Sequence, residues 1–359
     1  MTARYRHAQR SPRRSRRRWF AGLALSAAAV GVPLLLRRRR AAPPLPPHGW
    51  GRGLRYAWRG RDVHFQQMGA REGTPVVLVH SLGPGHDGAE WHRAAELLSQ
   101  CCELLAPDLP GWGRSASCCL RAEPTAELYV GFLRDFLADV VRRPAILVGA
   151  GRSASFVVAA AAEAQMPGEA SGSAGRAIPP VRALALVSPF GLGDADEGSE
   201  VGSASTPLLA RLARVPFLAT LLLPLVTSRS AINRHLKNEL LAAPERADAA
   251  QRERHFRSAR QPGAERALLA WLAGDLSLDV AELLPRLMMP VWLGWGRQSI
   301  APPVETADLW LRLLPKKEPG GDSVRPAQLE IFEGSGPLPH LEAPVDFVRR
   351  LDSFIAEAA

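Results

Sequence analysis

The stretch Asp108-Leu-Pro-Gly-Trp-Gly-Arg-Ser115 is the part of this sequence that decides its fold. It follows Glu103 to Pro107, a short apolar segment with the pattern of a strand. Its two glycines and its proline require a tight turn, and we expect the Asp108 carboxylate to hold that turn by accepting backbone N–H groups. The stretch therefore predicts a fixed loop at the end of a buried strand.

On both sides of this turn, apolar segments alternate between strand and helix patterns. Pro75 to His80 and Ala145 to Gly149 are continuous apolar runs, as expected of strands buried in a parallel sheet. Between them, Pro124 to Arg142 carries apolar residues at every fourth position, which indicates an amphipathic helix. The same alternation continues along the chain, with strands predicted near 56–66 (a hairpin), 181–187, 290–295 and 328–332, and helices near 91–100, 153–164, 304–314 and 345–355. We therefore predict an α/β protein with a mostly parallel central sheet flanked by helices.

Residues 195–285 interrupt this alternation, because their pattern is almost entirely helical. A helical insertion in such a sheet usually covers the carboxyl ends of the strands, where ligands bind. The predicted organisation is an α/β core formed by 51–194 and 286–359, with 195–285 as a helical cap. A basic segment, 1–40, and a proline-rich linker, 41–50, precede the core.

The net charge of +10 belongs to the N-terminal part of the chain. Residues 1–62 hold sixteen arginines and one acidic residue, whereas residues 63–359 hold 29 basic and 34 acidic residues. The body of the protein is therefore mildly acidic. It lacks the basic surface that nucleic-acid binding requires, and no nucleic-acid partner is expected.

The segment Trp19 to Leu36 is an uncharged apolar run of 18 residues with arginine clusters on both sides. As a helix it would span about 27 Å, close to the ~30 Å hydrocarbon core of a bilayer. We predict a single membrane anchor formed by residues 19–36, with the linker as a stiff, extended spacer. Two alternatives stay open: a cleaved twin-arginine-like export signal, and a plastid or other organelle transit peptide.

The cysteines form two adjacent pairs, Cys101-Cys102 and Cys118-Cys119. Neither a C-x-x-C spacing nor a Cys/His cluster is present, and we interpret these residues as small buried thiols, with a disulfide between the pairs left open. The sequence also contains no nucleotide-binding motif and no metal-ligand spacing, so that neither a cofactor nor a metal is predicted.

Four segments resemble, in order, those of the α/β-hydrolase family over roughly residues 50–357. His80-Ser-Leu-Gly83, followed by Trp91, resembles the H-G-x-G oxyanion loop of that family. Asp108 to Ser115 matches its D-x-P-G-x-G-x-S turn. Pro290 to Gly296 resembles the strand that leads to the catalytic acid, and Gly334 to Pro344 resembles the C-terminal segment G-x-G-H-x-P-H-x-E-x-P.

The resemblance implies a catalytic serine on a G-x-S-x-G elbow, a histidine that removes its proton, and a carboxylate that orients the histidine. In this sequence the elbow is Gly149-Ala-Gly-Arg-Ser153, so that Gly151 occupies the nucleophile position. Ser299 occupies the acid position and Pro337 the histidine position. The residues that the resemblance places at the pocket and oxyanion loop are His80, Ser81, Leu82, Gly83, Ala150 and Arg152.

The absence of all three catalytic residues predicts a protein without the standard hydrolase mechanism. The hypothesis is a membrane-associated ligand-binding or scaffold protein whose cap covers a small apolar or amphiphilic ligand. One alternative is an ester or amide hydrolase with a displaced nucleophile, Ser153 or Ser81, and His340 as base. Another is a lyase or a cofactor-free oxygenase. Any such pair needs a serine oxygen and a histidine nitrogen within about 3 Å, or one water apart.

Overall fold

The computed structural model of the chain describes residues 44–119, 123–166, 172, 175–193, 207–316 and 327–358. Eight strands form one sheet in the order β1-β2-β4-β3-β5-β6-β7-β8. The strands are β1 Arg52–Trp58, β2 Arg61–Met68, β3 Thr74–Val79, β4 Cys102–Pro107, β5 Ala145–Ala150, β6 Val181–Val187, β7 Val291–Gly296 and β8 Gln328–Phe332. β1 and β2 pair antiparallel to their neighbours, and every other pairing is parallel. The predicted α/β class with a mostly parallel sheet is confirmed.

Helices cover both faces of this sheet. The core helices are α1 His92–Leu98, α2 Ala126–Phe136, α3 Ser153–Ala164, α9 Ala307–Leu313, α10 Pro339–Glu342 and α11 Pro344–Ala358. Successive side chains of β5 point to opposite faces of the sheet. Leu147 packs with Phe132 on the side of α2 and α3, whereas Val148 packs with Phe347 on the side of α1 and α11. Because each parallel strand is buried on both faces, its sequence is apolar throughout.

Between β6 and β7, the described part of the predicted cap is largely helical. These helices are α4 Pro207–Ala213, α5 Pro216–Val226, α6 Arg229–His235, α7 Ala249–Ser258 and α8 Ala264–Ala273. Ser228 and Asp248 begin α6 and α7 by accepting hydrogen bonds from the backbone N–H groups of Ala231 and Gln251.

The proline-rich residues 44–48, called the strap below, lie against the body instead of standing away from it. Arg254 of α7 donates to the carbonyl oxygen of His48 at 3.0 Å, and Arg114 donates to the carbonyl oxygens of Leu45 and Pro46. His48 itself is 1% exposed. The strap therefore contacts both the cap and the turn after β4.

The predicted anchor at 19–36 lies outside the described residues and stays a prediction. Among the residues that are described, none of the helices is long and apolar enough to cross a membrane. Three of the four cysteines, Cys101, Cys102 and Cys118, are free thiols, and the side chain of Cys119 is outside the description.

Candidate functional site

The elbow of the candidate site is the turn between β5 and α3. Gly151 sits at its apex with φ +59°, in the left-handed region that glycine adopts without strain. Its N–H donates to the carbonyl oxygen of Val187 at 2.9 Å, and its carbonyl accepts from the N–H of Phe190 at 3.2 Å. A strand-to-helix turn is therefore present here, with Gly151 at its apex.

Ser81 lies directly over this glycine. A Cβ atom built on Gly151 would be 2.6 Å from Ser81 Oγ, closer than real contacts allow. The family pattern has glycine in the oxyanion loop and serine at the elbow, and this chain has serine at 81 and glycine at 151.

Ser153 is buried at the start of α3, where its Oγ donates to the carbonyl oxygen of Ala150 at 2.9 Å. Ser299 is also buried, and its Oγ donates to the carbonyl oxygen of Pro302 at 2.7 Å. Both hydroxyls thus bond to backbone near their own positions, and Pro337, which the resemblance places at the histidine position, is buried.

His340 is fully buried and stacks on Trp91, with ring centroids 4.1 Å apart. Its Nε2 lies 3.2 Å from Glu90 Oε1. The structure therefore brings His340 against a carboxylate and an indole. In the described part of the chain, no histidine hydrogen-bonds to the hydroxyl of Ser81 or Ser153.

Glu90 organises the floor of the site, although it is absent from the residues that the sequence predicts for it. Its carboxylate accepts from the backbone N–H of Ser81 at 3.1 Å, lies 2.7 Å from His86 Nδ1, and contacts His340. Burial raises the pKa of Glu90, but its bonds to His340 and His86 lower it more, so that the pKa is held well below its usual range. A buried carboxylate thus positions the oxyanion loop. The only sequence signal for it is the i, i+4 spacing of His86 and Glu90.

Two cap histidines meet His86 at the boundary between cap and core. His235 Nε2 of α6 lies 3.4 Å from His86 Nε2, and the ring of His255 of α7 is 5.4 Å from that of His86. Burial, followed by the neighbouring His86, lowers the pKa of His255 to about 3. A cavity of about 60 Å³ adjoins this group, lined by residues that include Glu90 and Gln251.

The remaining residues of the predicted pocket have structural contacts. His80 Nε2 accepts from the N–H of Leu109 at 3.0 Å, so that its Nδ1–H donates to the carbonyl oxygen of Ser81 at 2.7 Å. Burial lowers the pKa of His80 and keeps this neutral form. Arg152 lies over the ring of Phe190 at 4.6 Å and donates to Ser277 Oγ at 3.1 Å. The other members of the set, Leu82, Gly83 and Ala150, are buried.

The Ser81 hydroxyl thus lies over the elbow, and no histidine of the described residues is hydrogen-bonded to it. A serine hydroxyl attacks a carbonyl only when a neighbouring group takes its proton. Glu90 bonds to the backbone N–H of Ser81 and to two imidazoles, and no hydrogen bond joins it to the Ser81 hydroxyl among the described residues.

Comparison with known proteins agrees with this fold. A family model described as the Alpha/beta hydrolase family matches residues 76–351. The chain is similar to a pimeloyl-[acyl-carrier protein] methyl ester esterase of Vibrio vulnificus (strain CMCP6), with 25% identity over 302 residues that cover 82% of this chain and 98% of the relative.

The chain is also similar to a second relative in sequence and to a solved structure. An uncharacterised protein of Mycobacterium tuberculosis (strain ATCC 25618 / H37Rv) is 26% identical over 311 residues, covering 82% of this chain and 80% of the relative. The crystal structure of a membrane phospholipase A, described as a bacterial virulence factor, superposes with a TM-score of 0.64 at 19% identity. That superposition covers 95% of this chain and 99% of the phospholipase.

Proposed function

The chain belongs to the alpha/beta hydrolase family, and from this premise we propose that it binds an amphiphilic ligand without hydrolysing it. The observation that carries the proposal is the pair Ser81 and Gly151. The fold keeps the elbow with φ +59° at Gly151, while the hydroxyl of Ser81 fills the space of a nucleophile side chain. The elbow and loop persist as a shaped surface without an activated nucleophile.

Exposed apolar residues of the cap favour an apolar or amphiphilic ligand. Leu221 and Leu225 lie four residues apart on α5, therefore on one face of that helix, and they are 37% and 65% exposed. Exposed apolar side chains on an apolar helix are typical of surfaces that contact lipid or another apolar partner. The predicted anchor at 19–36 would hold such a surface near a membrane.

Arg152 gives the polar part of the ligand a candidate contact. It precedes α3 directly, beside the first backbone N–H groups of that helix, which favour anions. Its guanidinium already lies between Phe190 and Ser277, so that its orientation is fixed. An acyl chain against the cap and an anionic headgroup near Arg152 would suit this arrangement.

The test is binding of a fluorescent fatty acid by the purified full-length protein, followed by mass analysis of the probe and of an ester analogue. We expect saturable binding of the acid and recovery of the ester intact. Replacing Leu221 and Leu225 by glutamate should weaken binding. Met288→Glu is the matched control, because Met288 is 68% exposed and lies outside the cap.

The rival function is an esterase that uses Ser81 as a displaced nucleophile. It is favoured by one observation, the position of the Ser81 hydroxyl over the elbow. If the ester is cleaved by the wild type and not by Ser81→Ala, the rival is correct and the non-hydrolytic proposal fails. If neither protein binds the acid nor cleaves the ester, the amphiphile proposal fails as well.

A further inference from the structure

Three side chains able to ligate a metal meet where the strap reaches the core. They are His48 of the strap, His64 of β2 and Asp108 of the turn after β4. Each offers one ligand atom, and these atoms all lie within 4.8 Å of one another. The side chains are 1%, 11% and 0% exposed, respectively. Because the three residues belong to separate elements, no spacing in the sequence marks them as a group.

Their distances suit a tetrahedral ion. His48 Nε2 lies 3.5 Å from Asp108 Oδ2, and His64 Nδ1 lies 3.3 Å from the same oxygen. Zinc binds imidazole nitrogen and carboxylate oxygen at about 2.0–2.2 Å, so that two ligands at tetrahedral angles are about 3.4 Å apart. The two separations are therefore those of neighbouring ligands around one ion.

Hydrogen bonding among the described residues leaves these nitrogens without partners. Both ring nitrogens of His48 and Nδ1 of His64 are buried and make no hydrogen bond there. A buried polar atom without a partner is destabilising and calls for an explanation. The contacts of both imidazoles to Asp108 are at ion-pair distances, and a cation between the atoms would satisfy all three groups.

The carboxylate is oriented for such a role. Asp108 Oδ1 accepts from the N–H of Gly88 at 2.7 Å, and Oδ2 accepts from the N–H of Arg114 at 2.9 Å. A carboxylate oxygen has more than one acceptor site, so that Oδ2 can still bind an ion. Backbone donors that fix a ligand in this way are characteristic of the surroundings of metal sites.

The local charges also favour a cation. The carboxylates of Asp108 and Asp87 both act on His48, against the single opposing guanidinium of Arg114. Two carboxylates thus outweigh one guanidinium around the imidazole. A divalent ion would supply the positive charge that this environment stabilises.

We propose that His48, His64 and Asp108 form a binding site for a divalent metal ion of the zinc type. Two imidazoles and one carboxylate favour zinc over magnesium or calcium, which prefer oxygen ligands alone. A fourth ligand would be water. The ion would fasten the strap to β2 and to the turn after β4, adding to the arginine contacts that hold the strap carbonyls.

The experiment is zinc titration of the full-length protein in mild detergent after removal of metals with a chelator. We expect one ion per chain and a zinc-dependent rise in the melting temperature, because an ion that binds only the folded state stabilises it. Substituted Co²⁺ should give the intense visible absorption of four-coordinate cobalt. His48→Asn and His64→Gln should each lose the ion and the rise in melting temperature.

His235→Asn is the matched control, because it removes a buried histidine from the other histidine group, beside His86. Circular dichroism of each variant without metal establishes that it is folded. The proposal is overturned if zinc does not bind, if His48→Asn binds it as the wild type does, or if His235→Asn is the variant that loses it.

Discussion

Ser81 Oγ lies only 2.6 Å from the position of a Cβ atom on Gly151, so that a side chain at 151 would require the Ser81 hydroxyl to shift. Relative to the family pattern they are a complementary exchange: serine for glycine in the loop, and glycine for serine at the elbow. A serine placed at 151 alone would require the Ser81 hydroxyl to move. The residue at the elbow and the residue at 81 are therefore coupled.

We predict that Gly151→Ser alone destabilises the protein by about 2 kcal/mol, because the new side chain overlaps Ser81 Oγ. Adding Ser81→Gly should recover the part of that loss that comes from the overlap, whereas the part that comes from a serine at φ +59° should remain. Urea unfolding of both single variants and of the double variant gives the coupling energy directly. Additive effects of the two substitutions would contradict the contact described for this pair.

The second prediction concerns Glu90, the buried carboxylate under the oxyanion loop. Glu90→Gln should lower the free energy of unfolding at pH 7 by roughly 1–3 kcal/mol, because it removes the charged acceptor of His86, His340 and the Ser81 N–H. Denaturant unfolding measures this change. Glu96→Gln, an exposed carboxylate on α1, is the control and should leave stability unchanged.

Glu90 also predicts a dependence of stability on pH. Its pKa in the folded protein lies below the ordinary value of 4.5, so that its contribution is present above pH 4.5 and declines as the pH falls from there toward the folded pKa. Below pH 4.5 the wild type should therefore lose stability faster than Glu90→Gln. Parallel acid profiles for the two proteins would contradict the buried ion-paired state of this carboxylate.

The buried His255 should give a separate dependence of stability on pH, over a higher pH range than Glu90. Its pKa is about 3 in the folded protein and 6.5 in an ordinary setting, so that the unfolded chain binds one more proton between these values. Stability should therefore fall as the pH drops from 6.5 toward 3, and His255→Gln should flatten that slope by about one proton. Melting temperatures measured across this range test it, and an unchanged slope would count against burial of the neutral ring.

The strap gives a prediction about the N-terminal part of the body. Arg254→Ala removes the guanidinium that donates to the His48 carbonyl oxygen, and should make residues 44–48 more accessible to limited proteolysis. Arg252→Ala, on the same helix but bonded to Ala247, is the matched control. Equal cleavage rates in the two variants would contradict a docked strap.

Much of the fold follows from the sequence because its signals are local. The strand at 181–187 and the helix at 153–164 have the bounds that their patterns predict, because the pattern of each element lies in consecutive residues. The turn Asp108–Ser115 also behaves as predicted, with Asp108 accepting backbone N–H groups.

The site is only partly predictable because its contacts join distant residues. The pattern locates Gly151 and Ser81, but the placement of one over the other depends on the packing of β3 beside β5. Glu90, His86 and His255 carry no distinctive spacing as a set, because His255 lies far along the chain from the other two and meets them only in the tertiary structure. Proline content predicts a stiff spacer but does not indicate what the segment packs against, so that the contacts of the strap do not follow from its sequence.

The most direct measurement of the central claim is hydrolysis of short and medium acyl p-nitrophenyl esters, with fluorophosphonate labelling, by the full-length wild type and Ser81→Ala. The account predicts that both proteins release p-nitrophenol no faster than heat-denatured protein and that neither is labelled. Turnover and labelling of the wild type that disappear in Ser81→Ala would show that the nucleophile has moved to the oxyanion loop, and would contradict a non-hydrolytic function.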